Sequence, residues 1–133
     1  MLKLEIVTPE KRVLDASVDS VTIPTASGEA GILPNHAPLI SALKPGLLSY
    51  TIKGSVEKLA VAGGFVEVNS NKVAILADSA ETAEDIDVDA AKADRDSAEK
   101  ALAAAASGSL EANESLREQL DAANVRIQLV TGK

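Results

Sequence analysis

A single histidine, His36, lies between Pro34 and Pro38 in the stretch GEAGILPNHAPLI at residues 28–40. Its imidazole can donate and accept hydrogen bonds. A titratable side chain among small and aliphatic residues is either a satisfied core group or part of a site. The chain has no cysteine, and with one histidine a zinc site would need carboxylates for nearly all of its ligands. We therefore predict no metal site and keep both interpretations of His36 open.

Sequence motifs for catalysis and phosphate binding are absent. The chain has no P-loop, no G-x-G-x-x-G after a strand, no G-x-S-x-G and no histidine pair. Gly63 and Gly64 lie between two strand-like runs, which favours a bulge or a close backbone approach over a phosphate loop. The acids at residues 81–99 are typical of a solvated helical face. An enzyme acting through these carboxylates is disfavoured because they have no pocket-forming neighbours, whereas a stand-alone nucleotide-sensing module stays an alternative.

The composition predicts a folded protein whose partners are other proteins. Apolar residues make up 46% of the 133 residues, which is enough for a core. A net charge of -7 and an aromatic content of 2% argue against nucleic acid. No apolar run approaches the roughly 20 residues of a membrane span, and the opening MLKLEIVTP alternates like a strand, so neither an export signal nor insertion is expected.

The chain divides near residues 79–84. All five prolines lie in the first 45 residues. Residues 1–80 carry 8 acids and 7 bases, a net charge of -1, and residues 81–133 carry 12 acids and 6 bases, a net charge of -6. We predict one domain at residues 1–84 and a second unit at residues 85–133.

The first domain consists of short β-like runs separated by turn residues. Leu2, Leu4 and Ile6 alternate with polar residues and stop at Pro9. Further runs are at residues 18–23, which stop at Pro24, and at 47–52, 56–62, 65–68 and 73–76. Because no segment between them is long enough for a crossover helix, these runs predict an antiparallel β-sandwich or barrel.

The second unit has a helical period. From Ile86 it lacks glycine, proline and aromatic residues for about five turns, is rich in alanine, and can be capped by Asp85 or Asp87. Ser107-Gly108-Ser109 interrupts it, and a second helix is predicted from about Leu110 to Val130 with an apolar stripe formed by Leu116, Leu120, Ala123, Ile127 and Val130. The short break predicts an antiparallel hairpin. Alanine contacts are weak, at about 0.8 kcal/mol for each methyl, so this hairpin is a plausible moving part.

Several short motifs occur in one order along nearly the whole chain. They are SGE at 27–29, GILP at 31–34, HAPL at 36–39, KPG at 44–46, GGFVEV at 63–68, LAD at 76–78 and DID at 85–87. In this order and spacing they resemble the epsilon subunit of F-type ATP synthases of the bacterial and plastid kind. The resemblance implies an N-terminal β-sandwich followed by a C-terminal two-helix hairpin, in agreement with the pattern of the residues.

The resemblance also implies a role. It indicates a non-catalytic rotor subunit of the central stalk in a proton-translocating F-type ATP synthase, coupling rotation of the c ring to the catalytic head. Residues 1–84 are expected to dock on the gamma subunit and on the polar loops of the c ring. Residues 85–133 are expected to move between a folded state and an extended state that reaches the alpha and beta subunits and suppresses ATP hydrolysis. Membrane contact is expected only through the complex, on the cytoplasmic side of the bacterial plasma membrane or the stromal side of the thylakoid.

The loop around His36 is the partner-binding segment that the resemblance implies. Glu29 matches an acid expected to approach the c-ring loops, and Gly31, His36 and Pro38 belong to the same loop. Prolines stiffen such a loop, and the imidazole offers a donor and an acceptor. An interface role for His36 and a purely structural hydrogen bond both stay open.

Two departures from the family concern the hairpin. Some bacterial members bind ATP through a motif of Ile or Leu, Asp, two variable residues, Arg and Ala, to which Ile86, Asp87 and Ala91 correspond, but Ala90 replaces the arginine. Without that guanidinium the neighbouring aspartates would repel phosphate, so we expect no cofactor and weak or undetectable ATP binding. The extended state is expected to use basic side chains, yet the second helix has only Arg117 and Arg126, about half a turn out of phase. Strong inhibition of hydrolysis is therefore not expected.

Overall fold

The computed structural model describes residues 1–104 and 110–132, which form ten strands and two α-helices. The strands are β1 (Leu2–Val7), β2 (Arg12–Val18), β3 (Ser20–Thr25), β4 (Gly28–Ile32), β5 (His36–Ala42), β6 (Gly46–Ile52), β7 (Ser55–Ala62), β8 (Phe65–Ser70), β9 (Lys72–Leu76) and β10 (Ser79–Glu81). A 3-10 helix at Ala83–Asp85 precedes α1 (Val88–Ala104) and α2 (Leu110–Thr131). The predicted sandwich followed by two helices is confirmed.

The strands form two five-stranded sheets. The first sheet has the order β2-β1-β9-β8-β5, and the second has the order β10-β7-β6-β3-β4. The strand pairs are antiparallel except β1 and β9, which run parallel from Lys3 opposite Lys72 to Val7 opposite Leu76. The predicted antiparallel sandwich therefore contains one parallel pair. A parallel pair needs a long connection, and here the chain between β1 and β9 includes β3, β4, β6 and β7 of the second sheet.

The core lies between the two sheets and follows the period of two along each strand. The inward residues of β1 are completely buried, as are their neighbours on β8 and β9, and they meet aliphatic residues of the second sheet. The side chains with at most 1% exposure in this cluster are Leu2, Leu4, Ile6, Val18, Val21, Ile23, Ile32, Leu48, Val61, Val66, Val68, Val73 and Ile75. The alternation in the sequence thus identifies the core face of the sandwich.

Four strands fall outside the predicted runs. β2, β4, β5 and β10 were not predicted, and residues 18–23 belong to two strands rather than one. Residues 28–40 are not a loop, because most of them form β4 and β5, which are the outer strands of opposite sheets. Glycine and proline signal turns in a sequence, but an outer strand tolerates them since one side of its backbone is unpaired. Pro24 lies inside β3, an inner strand, at a position opposite Glu29 and beyond the end of the pairing of β3 with β6 at Thr22.

The start of α1 is fixed by two carboxylates. Asp87 Oδ1 accepts the backbone N–H groups of Asp89 and Ala90 at 3.0 and 3.2 Å, so Asp87 is the cap of the helix. Asp85 belongs to the preceding 3-10 helix, where its carboxylate accepts the hydroxyl and backbone N–H of Thr82 at 2.9 and 3.2 Å. These hydrogen bonds lower the pKa of Asp85. The predicted break at residues 107–109 lies outside the described residues.

The helices pack against each other and on the outer face of the second sheet. Ala98 of α1 and Ala123 of α2 are buried at 4% and 2% exposure and line the same gap between the helices. Where the helices meet the sheet, Ala60, Ile86 and Ala91 form a small buried cluster. Val125, Ile127 and Leu129 of α2 pack against this cluster. The predicted apolar stripe is wrong at Val130, which is exposed because the side of α2 that carries Val125 and Leu129 faces this cluster.

Candidate partner-binding site

The four residues predicted to bind partners lie on one strand–turn–strand segment. Glu29 and Gly31 are exposed on β4, opposite Pro24 and Thr22, and Pro38 is exposed on β5. The connection at residues 33–35 carries the chain from the edge of the second sheet to the edge of the first. The structure therefore brings these residues to one edge of the sandwich, with Glu29 and Gly31 on one sheet and His36 and Pro38 on the other. We call residues 28–38 the docking edge.

His36 is partly buried at the start of β5. Its Nδ1 lies 2.6 Å from the carbonyl oxygen of Ala37. Because a carbonyl only accepts, Nδ1 carries the hydrogen, and Nε2 of the neutral ring is then an acceptor. The pairing of β5 with β8 shifts between His36 and Leu39, where Pro38 cannot donate to a ladder. The imidazole thus makes a local hydrogen bond without being a core group, and its role at an interface stays a prediction.

Two asparagines that the sequence analysis did not single out hold the turn. The backbone of Asn35 has φ 64°, a left-handed conformation that asparagine tolerates better than most residues. Its N–H donates to Asn71 Oδ1 at 2.8 Å, and Asn71 Nδ2 donates to Asn35 Oδ1 at 3.3 Å. Asparagine after proline is a turn signal that could have identified Asn35, whereas nothing in the local sequence indicates that Asn71 is its partner.

An exposed group of apolar side chains lies on the outer face of the first sheet beside the docking edge. Ile40, Phe65 and Leu76 are 76%, 47% and 43% exposed. The register places Ala42 opposite Phe65 and Phe65 opposite Leu76, and Ile40 lies two residues before Ala42 on the same face of β5. We call these four residues the apolar patch. Contiguous exposed apolar surface typically marks an interaction site. The alternation of residues along a strand could not show which face of this sheet is left uncovered.

The residues that match the nucleotide motif lie where the hairpin meets the sandwich. Ile86 and Ala91 are buried at 8% and 0% exposure in the cluster under α2, and Asp87 caps α1. Ala90 is exposed in the first turn of α1. Three of these positions therefore serve packing or capping in this structure, and the weak ATP binding expected for the chain stays a prediction.

An ion-pair cluster joins the hairpin to the sandwich. Arg126 of α2 lies between Glu81 of β10, with Nε to Oε1 at 3.0 Å, and Asp94 of α1, with Nη1 to Oδ2 at 3.3 Å. The side chains of Arg126 and Glu81 are 23% and 27% exposed, which screens their attraction less than at an open surface. We call these three residues the Arg126 cluster. Its partners are 45 and 32 residues away in the sequence, so no local motif could have predicted it.

Within residues 1–104 and 110–132, no helix has the length and hydropathy needed to cross a bilayer.

Comparison with known proteins gives a family and a fold. Residues 1–83 match the family described as ATP synthase, Delta/Epsilon chain, beta-sandwich domain. The chain is 54% identical over 99 residues to the ATP synthase epsilon chain of Desulfitobacterium hafniense strain Y51, covering 74% of this chain and 75% of the relative. It is 51% identical over 102 residues to the epsilon chain of Carboxydothermus hydrogenoformans, covering 77% and 76%.

Solved structures agree in fold over most of the chain. A chain in the Euglena gracilis mitochondrial ATP synthase, solved as OSCP/F1/c-ring in rotational state 1, superposes with a TM-score of 0.75 at 25% identity, covering 92% of this chain and 77% of that one. A chain in the central stalk and c ring of the Tetrahymena thermophila mitochondrial enzyme has a TM-score of 0.65 at 17% identity, covering 98% and 96%, and supports the fold alone.

Proposed function

The chain belongs to the epsilon-chain family of ATP synthases and is a non-catalytic subunit, and from that premise we propose that it is a rotor component of the central stalk. In this proposal it couples rotation of the c ring to the catalytic head of a proton-translocating F-type enzyme. The observation that carries the proposal is the apolar patch beside the docking edge. An exposed apolar face on a small sandwich is typical of an interface with a stably bound subunit.

Two adjoining surfaces suit two partners. The apolar patch provides the desolvated centre of a contact with the gamma subunit, since burial of aliphatic and aromatic side chains supplies most of the affinity of a protein interface. Glu29 and the exposed Leu33 of the docking edge provide a contact with the polar loops of the c ring. The bacterial source of the relatives favours the cytoplasmic side of a bacterial plasma membrane. Capture of the gamma subunit without nucleotide tests the proposal, because a stand-alone nucleotide sensor would not bind it.

The hairpin supplies the regulatory part of the proposal. Residues 85–133 are the moving unit, and the folded state described above is one end of its motion. Contacts of Ala60, Ala91 and Ala123 bury little area per residue, so the cluster under α2 depends on Ile86 and on partly buried side chains of α2. In the folded state Arg126 is paired with Glu81 and Asp94, and it must leave both to meet acidic groups on the beta subunits.

Replacement of His36 by alanine tests the docking edge. If Nε2 accepts a hydrogen bond from a partner, the variant should bind the gamma subunit and c ring more weakly by about 1 to 3 kcal/mol, the cost of an unmet buried polar group. Because the imidazole is partly exposed, the melting temperature of the isolated protein should change by no more than about a degree. Calorimetric melting and a binding titration measure the two effects. A lower melting temperature with unchanged binding would support the purely structural hydrogen bond instead.

Replacement of Ala90 by arginine tests the nucleotide hypothesis. The new guanidinium would lie exposed in the first turn of α1, and a charge-assisted hydrogen bond to phosphate is worth about 1.5 to 3 kcal/mol. ATP affinity should therefore rise by about ten- to a hundredfold in titration calorimetry without magnesium. Ala90→Gln is the matched control, since it adds length without charge and should bind ATP as weakly as the parent. Micromolar binding by the parent chain would contradict the proposal that the motif has lost its function.

A further inference from the structure

The β8–β9 turn, which carries no residue of the docking edge, is tied to that edge through Asn71. The main chain at Asn71 is itself fixed, because its carbonyl oxygen accepts the N–H of Lys3 in β1 at 2.7 Å. Its side-chain amide exchanges two hydrogen bonds with Asn35, one to the backbone N–H at 2.8 Å and one to Oδ1 at 3.3 Å. A backbone N–H only donates, so Asn71 Oδ1 must face it and Nδ2 is left to donate. A continuous set of hydrogen bonds thus runs from β1 through Asn71 to Asn35.

These bonds act where the β5–β8 ladder ends. His36 pairs with Ser70 at the last position of the ladder, and Ser70 then turns with φ 52°. Asn35, the residue before His36, has no backbone partner in this ladder. Its N–H donates to the side-chain amide oxygen of Asn71 instead. The turn at residues 33–35 otherwise has few restraints, since Leu33, Pro34 and Asn35 are exposed and the ladder shifts after His36. This turn is the direct covalent link between Glu29, whose strand pairs with β3, and His36, whose strand pairs with β8.

We infer that Asn71 is a positioning residue for partner binding: its amide holds the left-handed turn at Asn35 and so pre-organises the docking edge. This inference rests on the proposed docking function and adds to it a residue that does not itself touch the partner. Pre-organisation raises affinity by lowering the conformational entropy lost on binding. The expected signature is a loss of affinity without a matching loss of fold stability, because both amides are exposed.

The test compares three variants in binding to the gamma subunit and c ring of the same enzyme. Asn71→Ala removes both side-chain bonds and should weaken binding about five- to tenfold, with the melting temperature within about a degree of the parent. Asn71→Asp keeps the acceptor for the Asn35 N–H and should recover most of the affinity. Asn35→Gly keeps that N–H and the positive φ and loses only the longer of the two bonds, so it should weaken binding less than Asn71→Ala does.

Amide hydrogen exchange distinguishes a local positioning role of Asn71 from a general contribution to fold stability. In Asn71→Ala, exchange should accelerate at the amides of residues 35 and 36 but not in β1 or β9, and Asn71→Asp should restore protection at residue 35. Equal affinity of Asn71→Ala and the parent, or a fall in affinity that follows a fall in melting temperature across all three variants, would overturn the inference. Absence of binding by the parent itself would overturn the proposed function instead, so the two failures are distinguishable.

Discussion

Replacement of Ile40 by glutamate is expected to weaken binding to the gamma subunit a hundredfold or more. Ile40 is 76% exposed, the largest exposed fraction among Ile40, Phe65 and Leu76, so its side chain has most of its surface still to bury in a complex. Loss of that burial removes about 1.5 to 3 kcal/mol, and a carboxylate without a partner in a dry interface adds a further penalty of comparable size. Because the side chain points away from the core, the melting temperature of the isolated protein should change little.

The matched control is Val56→Glu. Val56 is an apolar β-strand residue that is 57% exposed, but it lies on β7 in the other sheet. The same charge placed there should leave the affinity for gamma within about twofold of the parent. Surface plasmon resonance with immobilised gamma subunit measures both variants. If Val56→Glu weakened binding as much as Ile40→Glu, the contact would not depend on the apolar patch.

Reversal of charge at Arg126 is expected to release the hairpin. Glutamate at this position would lie beside Glu81 and Asp94, so two ion pairs would become two like-charge contacts. The contact with Glu81 is the partly buried one, since Glu81 is 27% exposed and Asp94 is 66% exposed. We expect the population of the undocked hairpin to rise at least tenfold, since a partly buried pair is worth more than the 0.2 to about 1 kcal/mol of an exposed one. Electron paramagnetic resonance distances between spin labels on α2 and β7 measure the docked and undocked populations directly.

The paired variant and a control separate charge from packing. Combining Arg126→Glu with Glu81→Arg restores one ion pair with reversed polarity and should recover much of the docked population. Arg117→Glu alters the same helix at an exposed position about two and a half turns away, on the opposite side of the helix, and should have little effect. Raising the salt concentration should weaken docking in the parent but not in Arg126→Glu. A docked population unaffected by charge reversal would show that the apolar contacts alone hold the hairpin.

The sequence predicts those parts of the fold that depend on local pattern. Alternation at Leu2, Leu4 and Ile6 identifies both a strand and its buried face, since period two decides which side chains face the core. The absence of glycine and proline after Ile86, together with Asp87 as a cap, predicts α1 to within two residues of its observed start. Local propensity and capping are sufficient information for such elements.

The parts that the sequence does not predict depend on contacts between distant residues. The glycines of β4 and Pro38 of β5 predict a loop from the sequence. The sheet order shows instead that both segments are outer strands. Three such contacts join residues more than 30 positions apart in the sequence. They are the parallel pairing of β1 with β9, the hydrogen bonds between Asn35 and Asn71, and the Arg126 cluster. The resemblance selected the docking edge as one segment, and its role in binding stays a prediction. Its division between two sheets and the apolar patch beside it are visible only in the fold.

The most direct measurement of the central claim is capture of the purified gamma subunit by this chain in the absence of nucleotide, followed by a binding titration. A rotor subunit should bind gamma stoichiometrically, with an affinity that ATP does not change by more than about twofold. A chain that ends after Glu84 should bind equally well, because the apolar patch and the docking edge both lie within residues 28–76. Absence of binding without nucleotide, or binding that requires ATP and residues 85–133, would contradict the assignment to the central stalk.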